Sequence, residues 1–172
     1  LLHLLGAPER ILAAKPSELM QAEGIGRVQA EAIAGWQKEV NLDAELKKIQ
    51  DRGLTILTQD DELYPPLLKA IHDSPLILYV WGELTKRDHQ AVGVVGSRHA
   101  TMYGLNATKK MSFQIAYSGF TVISGLARGI DTAAHESALA AKGRTVAVIG
   151  SGLGKLYPPE NMALAERIAQ NG

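Results

Sequence analysis

Three segments in the second half of the chain repeat one order: a short apolar run, a glycine turn and a longer helical stretch. The apolar runs cover residues 91–95, 121–124 and 145–149, and they are followed by Gly96, Gly125 and Gly150. Continuous apolar runs are typical of parallel strands buried on both faces, and each intervening stretch is long enough for a right-handed crossover. The pattern predicts an α/β fold with a Rossmann-like parallel sheet and helices on both faces.

The first part of the chain has a different pattern, with short helices separated by glycine and proline. We expect a small all-helical domain at residues 1–45, of the SAM or helix-hairpin-helix type, and a Rossmann-like domain at residues 46–172. A further amphipathic helix is predicted at residues 42–52, with strands at residues 54–58 and 75–81 and a short helix at residues 67–71. Because the chain starts without methionine and stops where another strand could begin, we expect both domains to be truncated.

The helical part contains one candidate DNA contact, the hairpin Gly24-Ile25-Gly26. Its glycine–hydrophobic–glycine pattern is that of helix-hairpin-helix turns, in which backbone amides can meet a DNA phosphate. The alternative is a plain turn between packed helices. Glu23 and Glu31 flank the hairpin and would repel DNA, which slightly favours the plain turn.

The composition excludes several kinds of site. The chain has no cysteine, so it forms neither disulfides nor thiolate metal sites, and its five histidines lack zinc-motif spacings; we expect no metal and no cofactor. No window approaches the roughly 18 consecutive apolar residues of a membrane span, which favours a cytoplasmic protein without membrane contact.

The charge is uneven although the chain is neutral overall. Residues 1–90 carry 10 Lys/Arg against 14 Asp/Glu, whereas residues 91–172 carry 8 against 4. The basic half is also the half with the glycine turns. This coincidence favours an anionic ligand there, while an ordinary solvated surface can carry the same difference.

Two of the glycine turns predict a phosphate site, because ligands of such sheets bind beyond the carboxyl ends of the strands. The first turn (Gly96, Ser97 and Arg98) offers amides, a hydroxyl and a guanidinium that can bind phosphate through two hydrogen bonds. The second turn (residues 124–129) repeats these groups and includes Arg128. Each turn alone also fits a tight connection with a solvated arginine, but two on adjacent strands favour the phosphate site.

The third turn (residues 150–155) resembles a Walker A loop only superficially. Lys155 stands where the pattern GxxxxGK requires its second glycine, and the third glycine of GxGxxG comes one position early, at Gly154. ATP hydrolysis and ordinary dinucleotide binding are therefore disfavoured.

Asp131 and His135 follow the second turn and are four residues apart. We expect Asp131 to cap a helix over residues 132–141 through the amides of its first turn, with His135 on the same face. The alternative is an acid–base or metal pair, but capping accounts for the aspartate more simply.

Taken in order, these residues resemble the DNA-processing protein A (DprA/Smf) family, and the resemblance covers nearly the whole chain. It rests on residues 76–82, 94–98 and 123–131 and on Tyr64, Pro65, Thr101, Tyr103, Gly104, His135, Gly150, Gly152, Tyr157, Pro158 and Asn161. The sequence departs from the family pattern at two places, and both affect the side of the expected pocket that the third turn would form. Gly154 stands where the family usually has aspartate, and the family's next strand and its Arg-Asn-Arg segment do not occur in this sequence.

The resemblance implies a recombination mediator that binds single-stranded DNA and helps load RecA during natural transformation. It further implies a homodimer, no enzymatic activity, and a basic pocket in which Arg98 and Arg128 are the main contacts with the DNA backbone. The predicted DNA or phosphate contacts are Gly96, Ser97, Arg98, Thr101, Tyr103, Gly104, Ser124, Gly125, Ala127, Arg128, Gly129, Gly152 and Lys155. Tyr103 and Tyr157 are candidates for base stacking, with core packing as the alternative.

An enzyme of nucleotide metabolism is the rival interpretation. Similar domains in nucleoside-monophosphate phosphoribohydrolases cleave small nucleotides, and those enzymes carry a Pro-Gly-Gly-x-Gly-Thr-x-x-Glu signature that supplies a catalytic glutamate. No such run occurs in this sequence. An interaction scaffold is a third possibility, and it would leave Arg98 and Arg128 without a function.

Overall fold

The computed structural model describes residues 1–171, which separate into a first compact unit, Leu1–Ile49, and a second that begins at Gln50. The helices of the first unit are α1 (Leu2–Leu5), α2 (Pro8–Ala13), α3 (Pro16–Leu19), α4 (Arg27–Ala34) and α5 (Trp36–Glu39), and α6 (Leu42–Asp51) begins in it. The sequence predicted this helical character and placed α6 within one residue. A SAM or helix-hairpin-helix fold, and the division at residue 45, stay predictions.

The predicted hairpin of the first unit packs its apolar residue inward. Ile25 contacts a small core built around Ala14, Leu19 and Ala30. Arg27 follows the hairpin, and its Nε donates to the Glu31 carboxylate at 2.7 Å. The hairpin therefore has a packing role, as the favoured interpretation of a plain turn expects, and contact with DNA stays an untested alternative.

The second unit opens with a two-stranded antiparallel sheet. Strand β1 (Leu54–Thr58) pairs with β2 (Ile77–Trp81), with Leu54 opposite Trp81 and Thr58 opposite Ile77. The short helix α7 (Pro66–Lys69) lies between them in sequence. The buried Tyr64 donates its hydroxyl to the carbonyl of Pro75 at 2.6 Å, which fixes the chain just before β2.

A three-stranded parallel sheet follows, in the order β3 (Ala91–Gly93), β4 (Thr121–Ser124) and β5 (Thr145–Ala147). The predicted parallel sheet is thus confirmed, but the outer strands end earlier than residues 95 and 149. The amides of Val94 and Val148 still donate to β4, at 2.8 and 2.9 Å. Beyond them β4 has already turned away, so the later residues have no strand to pair with.

The helices of this unit are α8 (Met102–Tyr117), α9 (Ile130–Ala140) and α10 (Met162–Asn171). Ala116 of α8 and two alanines of α9 pack against Val122 of β4, and small side chains let the two helices approach closely. A second cluster joins α10 to α9 and β5 through Leu164, Ala165 and Ile168. All three helices therefore pack on one face of the sheet.

The opposite face is only partly covered in the described residues. By strand alternation it carries Ile123 and Val146, which are half-buried, and Val148, which is 64% exposed. Helices on both faces therefore stay a prediction. None of the helices in residues 1–171 has the length and apolar character needed to cross a membrane.

A buried ion pair ties the outer strand β5 to the loop before β3. Asp88 lies in a short 3-10 helix, Lys86–His89, and its carboxylate accepts from Arg144 at 2.6 and 2.8 Å. The Thr121 hydroxyl and the Thr85 amide also donate to it, at 2.9 and 2.7 Å. Burial alone would raise the pKa of Asp88, but these donors outweigh it, and the net pKa is lowered.

Candidate phosphate-binding pocket

The carboxyl ends of β3, β4 and β5 lie side by side, so the three turns that follow them meet. They enclose an open pocket of about 240 Å³. All three turns contribute to it, and a later loop closes one side. The lining residues are Arg98, Gly125, Ala127, Arg128, Gly150, Ser151, Tyr157 and Pro158.

The first and second turns are in direct contact at Gly129. This residue has φ +78°, and a Cβ placed there would lie 2.3 Å from the Ser97 carbonyl oxygen and 2.7 Å from that of Arg98. The next amide, of Ile130, donates to the Ser97 carbonyl at 3.2 Å. A Cβ on Gly96 would in turn lie 2.6 Å from the Ile130 side chain. Glycine at both positions is therefore what brings Arg98 and Arg128 to one pocket.

Asp131 stabilises the second turn and does not cap its own helix, so the predicted capping role was wrong. Helix α9 begins at Ile130, so Asp131 lies inside the first turn, where it cannot be the N-cap residue. Its buried carboxylate accepts from the amides of Gly125 at 3.1 Å and Ala127 at 3.4 Å. The amides of two predicted phosphate-binding residues therefore already donate to a carboxylate of the protein.

His135 is fully buried behind this turn. Its Nδ1 lies 2.7 Å from the Thr145 hydroxyl, and that hydroxyl donates to the Val122 carbonyl at 2.8 Å. Because the Thr145 proton is used in this way, His135 Nδ1 carries a proton and donates it. Burial lowers the pKa of His135 to about 4, against the opposing effect of the Asp131 carboxylate.

An acid–base or metal role for Asp131 and His135 finds no support in this geometry. Neither residue lines the pocket, and both are buried. Asp131 Oδ1 and His135 Nε2 have no hydrogen-bond partner among the described residues. Nor does that part of the chain contain a group of three or more His, Asp or Glu side chains placed to hold a metal ion.

The two arginines of the pocket differ in their partners. Arg98 is exposed, and in residues 1–171 its side chain has no hydrogen bond or ion pair. Arg128 pairs through Nε with the Glu160 carboxylate, donates to the Tyr157 hydroxyl at 3.0 Å, and lies 5.4 Å from the centre of the Tyr157 ring. The hydrogen bond to Glu160 raises the pKa of Arg128 and lowers that of Glu160. Among the described residues that line this pocket, Arg98 is thus the cation without a protein partner.

Comparison with known proteins assigns the family. The family model for DNA recombination-mediator protein A matches residues 55–172, well over half of the chain. This chain belongs to that family. Its resemblance to the DprA/Smf proteins, expected from the glycine turns, is confirmed.

The similar proteins include members from several bacteria. The chain is 42% identical to Protein Smf of Synechocystis over 168 residues, 95% of this chain and 42% of that protein. It is 35% identical to DNA processing protein DprA of Bacillus subtilis over 127 residues, 73% of this chain and 43% of that protein. The chain therefore spans about two fifths of the length of these relatives.

Two solved structures share the fold. The X-ray structure of DNA processing protein A from Streptococcus pneumoniae matches with a TM-score of 0.74 and 31% identity, over 91% of this chain and 53% of that one. A Helicobacter pylori structure, described for the single-stranded DNA binding mode of DNA processing protein A, matches with a TM-score of 0.59 and 30% identity. That match covers 69% of this chain and 53% of the other.

In this family member, the backbone adds donors to the pocket. The amides of Gly125 and Ala127 are used by Asp131. Four other lining residues have amides that donate to no protein acceptor within residues 1–171: Arg98, Arg128, Gly150 and Ser151. Unpaired amides and guanidinium groups are donors that suit an anion, although the Arg128 guanidinium already binds the Glu160 carboxylate.

The third turn lines the pocket with other residues than the predicted ones. Gly150 and Ser151 line the pocket, whereas Gly152 and Lys155 do not. The Ser151 hydroxyl accepts from the Tyr157 amide at 3.2 Å, which holds the third turn against the loop that carries Tyr157 and Pro158. Sequence reasoning missed Gly150, Ser151 and Pro158 as lining residues, although a serine beside a glycine recurs in all three turns.

Several predicted contacts serve the local structure. The Ser97 hydroxyl accepts from the His99 amide at 3.1 Å, and the Thr101 hydroxyl caps α8 by accepting from Gly104 at 3.1 Å. The buried Ser124 hydroxyl donates to the Val94 carbonyl at 2.7 Å. Tyr103 is 84% exposed in the first turn of α8. A role for any of these residues in binding DNA stays a prediction.

Proposed function

We propose that the pocket among the three turns binds the phosphates of single-stranded DNA, and that the protein acts as a recombination mediator rather than an enzyme. In this proposal the DNA-bound protein works in the cytoplasm as a homodimer and helps load RecA during natural transformation. Backbone phosphates are the part of DNA that the pocket can recognise. Base specificity is accordingly low.

The observation that carries the proposal is that, within residues 1–171, the Arg98 guanidinium and the backbone amides of four lining residues have no protein partner. The lining residues include two arginines and no carboxylate. In such a site the guanidinium groups give an anion charge-assisted hydrogen bonds, and the backbone amides give it hydrogen bonds whose geometry the fold already fixes. A phosphate group accepts several of these bonds at once.

The pocket is small and open, which is compatible with binding one phosphate of a longer strand. Its volume of about 240 Å³ is open to solvent. Pockets that enclose a complete small-molecule ligand usually measure about 300–1,000 Å³. In this proposal a backbone phosphate enters the pocket, and the bases are free to contact Tyr157, which lines the pocket and is 53% exposed.

The relatives support the same ligand. Single-stranded DNA binding is described for the Helicobacter pylori protein, whose fold this chain shares at 30% identity. A nucleotide-cleaving enzyme receives no comparable support, because no lining residue offers a carboxylate as a general base or nucleophile. These observations support the proposal of a DNA-binding mediator over that of a nucleotide-cleaving enzyme.

Competition binding tests the proposal. A fluorescent oligo-dT strand is bound to the protein and displaced by unlabelled oligo-dT, by a duplex of equal length, or by thymidine monophosphate. We expect the single strand to compete best, because a flexible backbone can bring its phosphates into the pocket. Equal competition by the mononucleotide, or release of free base from it, would contradict the proposal.

A further inference from the structure

Arg128 differs from Arg98 because it already has an anionic partner beside the pocket. Its Nε and the Glu160 carboxylate form an ion pair between side chains that are 45% and 51% exposed. The Tyr157 hydroxyl accepts a second hydrogen bond from the same guanidinium, at 3.0 Å. Any phosphate that binds Arg128 therefore meets a site that a carboxylate occupies.

The position of Glu160 is fixed by its neighbours in sequence. It lies in a short 3-10 helix, Pro159–Asn161, between two buried residues, Pro158 and Asn161. The Asn161 side chain donates to the carbonyl of Leu126 at 2.8 Å and to the Thr132 hydroxyl at 2.9 Å. Leu126 belongs to the second turn, which also carries Arg128. The acid and the arginine are thus held on segments that are hydrogen-bonded to each other.

We propose that Glu160 is an internal competitor for the DNA phosphate at Arg128, and that binding exchanges the carboxylate for a phosphate. This inference rests on the proposed function. The exchange is feasible because an exposed ion pair is weak, whereas a phosphate in the pocket also reaches Arg98 and the free amides. Only an anion that makes those further contacts compensates for the lost pair.

Competition gives the pocket selectivity among anions. A small anion that contacts Arg128 alone gains little, since it only replaces the Glu160 carboxylate. A DNA backbone gains the contacts with Arg98 and the turn amides as well. The alternative role for Glu160 is positioning, in which the carboxylate holds Arg128 in the orientation that DNA needs. The two roles predict opposite effects of removing the charge of Glu160.

The substitution Glu160→Gln separates these roles. It removes the charge while keeping the shape of the side chain, and Glu166→Gln, at an exposed acid on α10, removes the same charge elsewhere. Competition predicts that Glu160→Gln tightens oligo-dT binding about two- to fivefold, the range expected for an exposed ion pair. Glu166→Gln is expected to change it less. Weaker or unchanged binding by Glu160→Gln, or an equal gain from Glu166→Gln, overturns the inference.

A double-mutant cycle with Arg128→Ala completes the test, with thermal unfolding used to check that each variant folds. Without Arg128 there is nothing to compete for, so Glu160→Gln should then have no effect beyond that of Glu166→Gln. A full gain in the Arg128→Ala background overturns the inference by showing a general charge effect. Absence of oligo-dT binding by the unmodified protein would overturn the proposed function and this inference together, whereas binding without the Glu160 effect overturns only the inference.

Discussion

Single residues give the pocket its shape through contacts at the meeting of two turns. Gly129 combines a positive φ with close approach to the Ser97 and Arg98 carbonyl oxygens. Asp131 accepts two amides of the second turn, and His135 lies buried behind it. These three residues set the geometry without lining the pocket.

The substitution Gly129→Ala tests the contact between the turns. A Cβ there meets two carbonyl oxygens in addition to an unfavourable φ, so we expect the free energy of unfolding to fall by at least about 2 kcal/mol. Gly152→Ala is the matched control, since Gly152 has φ +73° but open space around it. It should cost about 1 kcal/mol from the backbone alone. Equal losses in urea unfolding would contradict this account.

His135 predicts a pH dependence of stability. Its pKa is lowered to about 4 in the folded protein from an ordinary value of 6.5, so between these values the unfolded chain binds a proton that the folded chain does not. Stability is therefore complete above about pH 6.5 and falls as the pH drops towards 4, by about 3 kcal/mol in total.

The variant His135→Asn provides the comparison, because its amide nitrogen can still donate to Thr145 while the side chain does not titrate. Urea unfolding at several pH values should show a shallower decline for this variant between pH 6.5 and 4. Parallel declines for the two proteins would show that His135 is not the group responsible.

The sequence allowed us to predict which residue types lie at the pocket, but not which side chains bind one another there. The two glycine turns with arginine do line one pocket, because residue type and spacing determine what a strand-to-helix turn can offer, while their contact with phosphate stays a prediction. The partner of Arg128 could not be predicted, since Glu160 is 32 residues away in sequence and exposed. The predicted donors to Asp131 were wrong because α9 starts two residues earlier than expected, at Ile130.

At the scale of elements, the parallel sheet is short and depends on contacts outside its ladders. β3 and β5 have three residues each and stop where β4 turns away. Apolar runs predicted both strands but not their ends, because a strand ends where its neighbour ends. The buried pair of Asp88 and Arg144 adds a connection from β5 to the segment before β3.

Asp88→Asn tests this connection. It replaces the carboxylate beside Arg144 by a neutral amide, at a place where the side chains of Asp88 and Arg144 are only 7% and 15% exposed. We expect a loss of about 2–3 kcal/mol in the free energy of unfolding, because the substitution removes the carboxylate that accepts two charge-assisted hydrogen bonds from a mostly buried guanidinium. Asp73→Asn, at a side chain that is 94% exposed, should change it by less than about 0.5 kcal/mol. Similar losses in the two variants would contradict a structural role for the pair.

At the scale of the whole molecule, one unit is helical and the other carries the sheets and the pocket. The fold class followed from the periodicity of apolar runs, and the family followed from the turns. The sequence did not show what covers the second face of the sheet, because a continuous apolar run indicates that a strand is buried but does not indicate which element covers it. RecA loading and dimerisation concern surfaces that the pocket does not define, and they stay proposals.

The most direct test of the central claim is the salt dependence of oligo-dT binding by the unmodified protein and by Arg98→Ala. Lys110→Ala, at an exposed lysine of α8 outside the pocket, is the matched control. If Arg98 contacts a DNA phosphate, its loss should weaken binding and reduce the slope of log affinity against log salt by about 0.7, the value for one phosphate of a single strand. The control should leave the slope unchanged. An unchanged slope for Arg98→Ala, or equal changes in both variants, would contradict a phosphate site at the three turns.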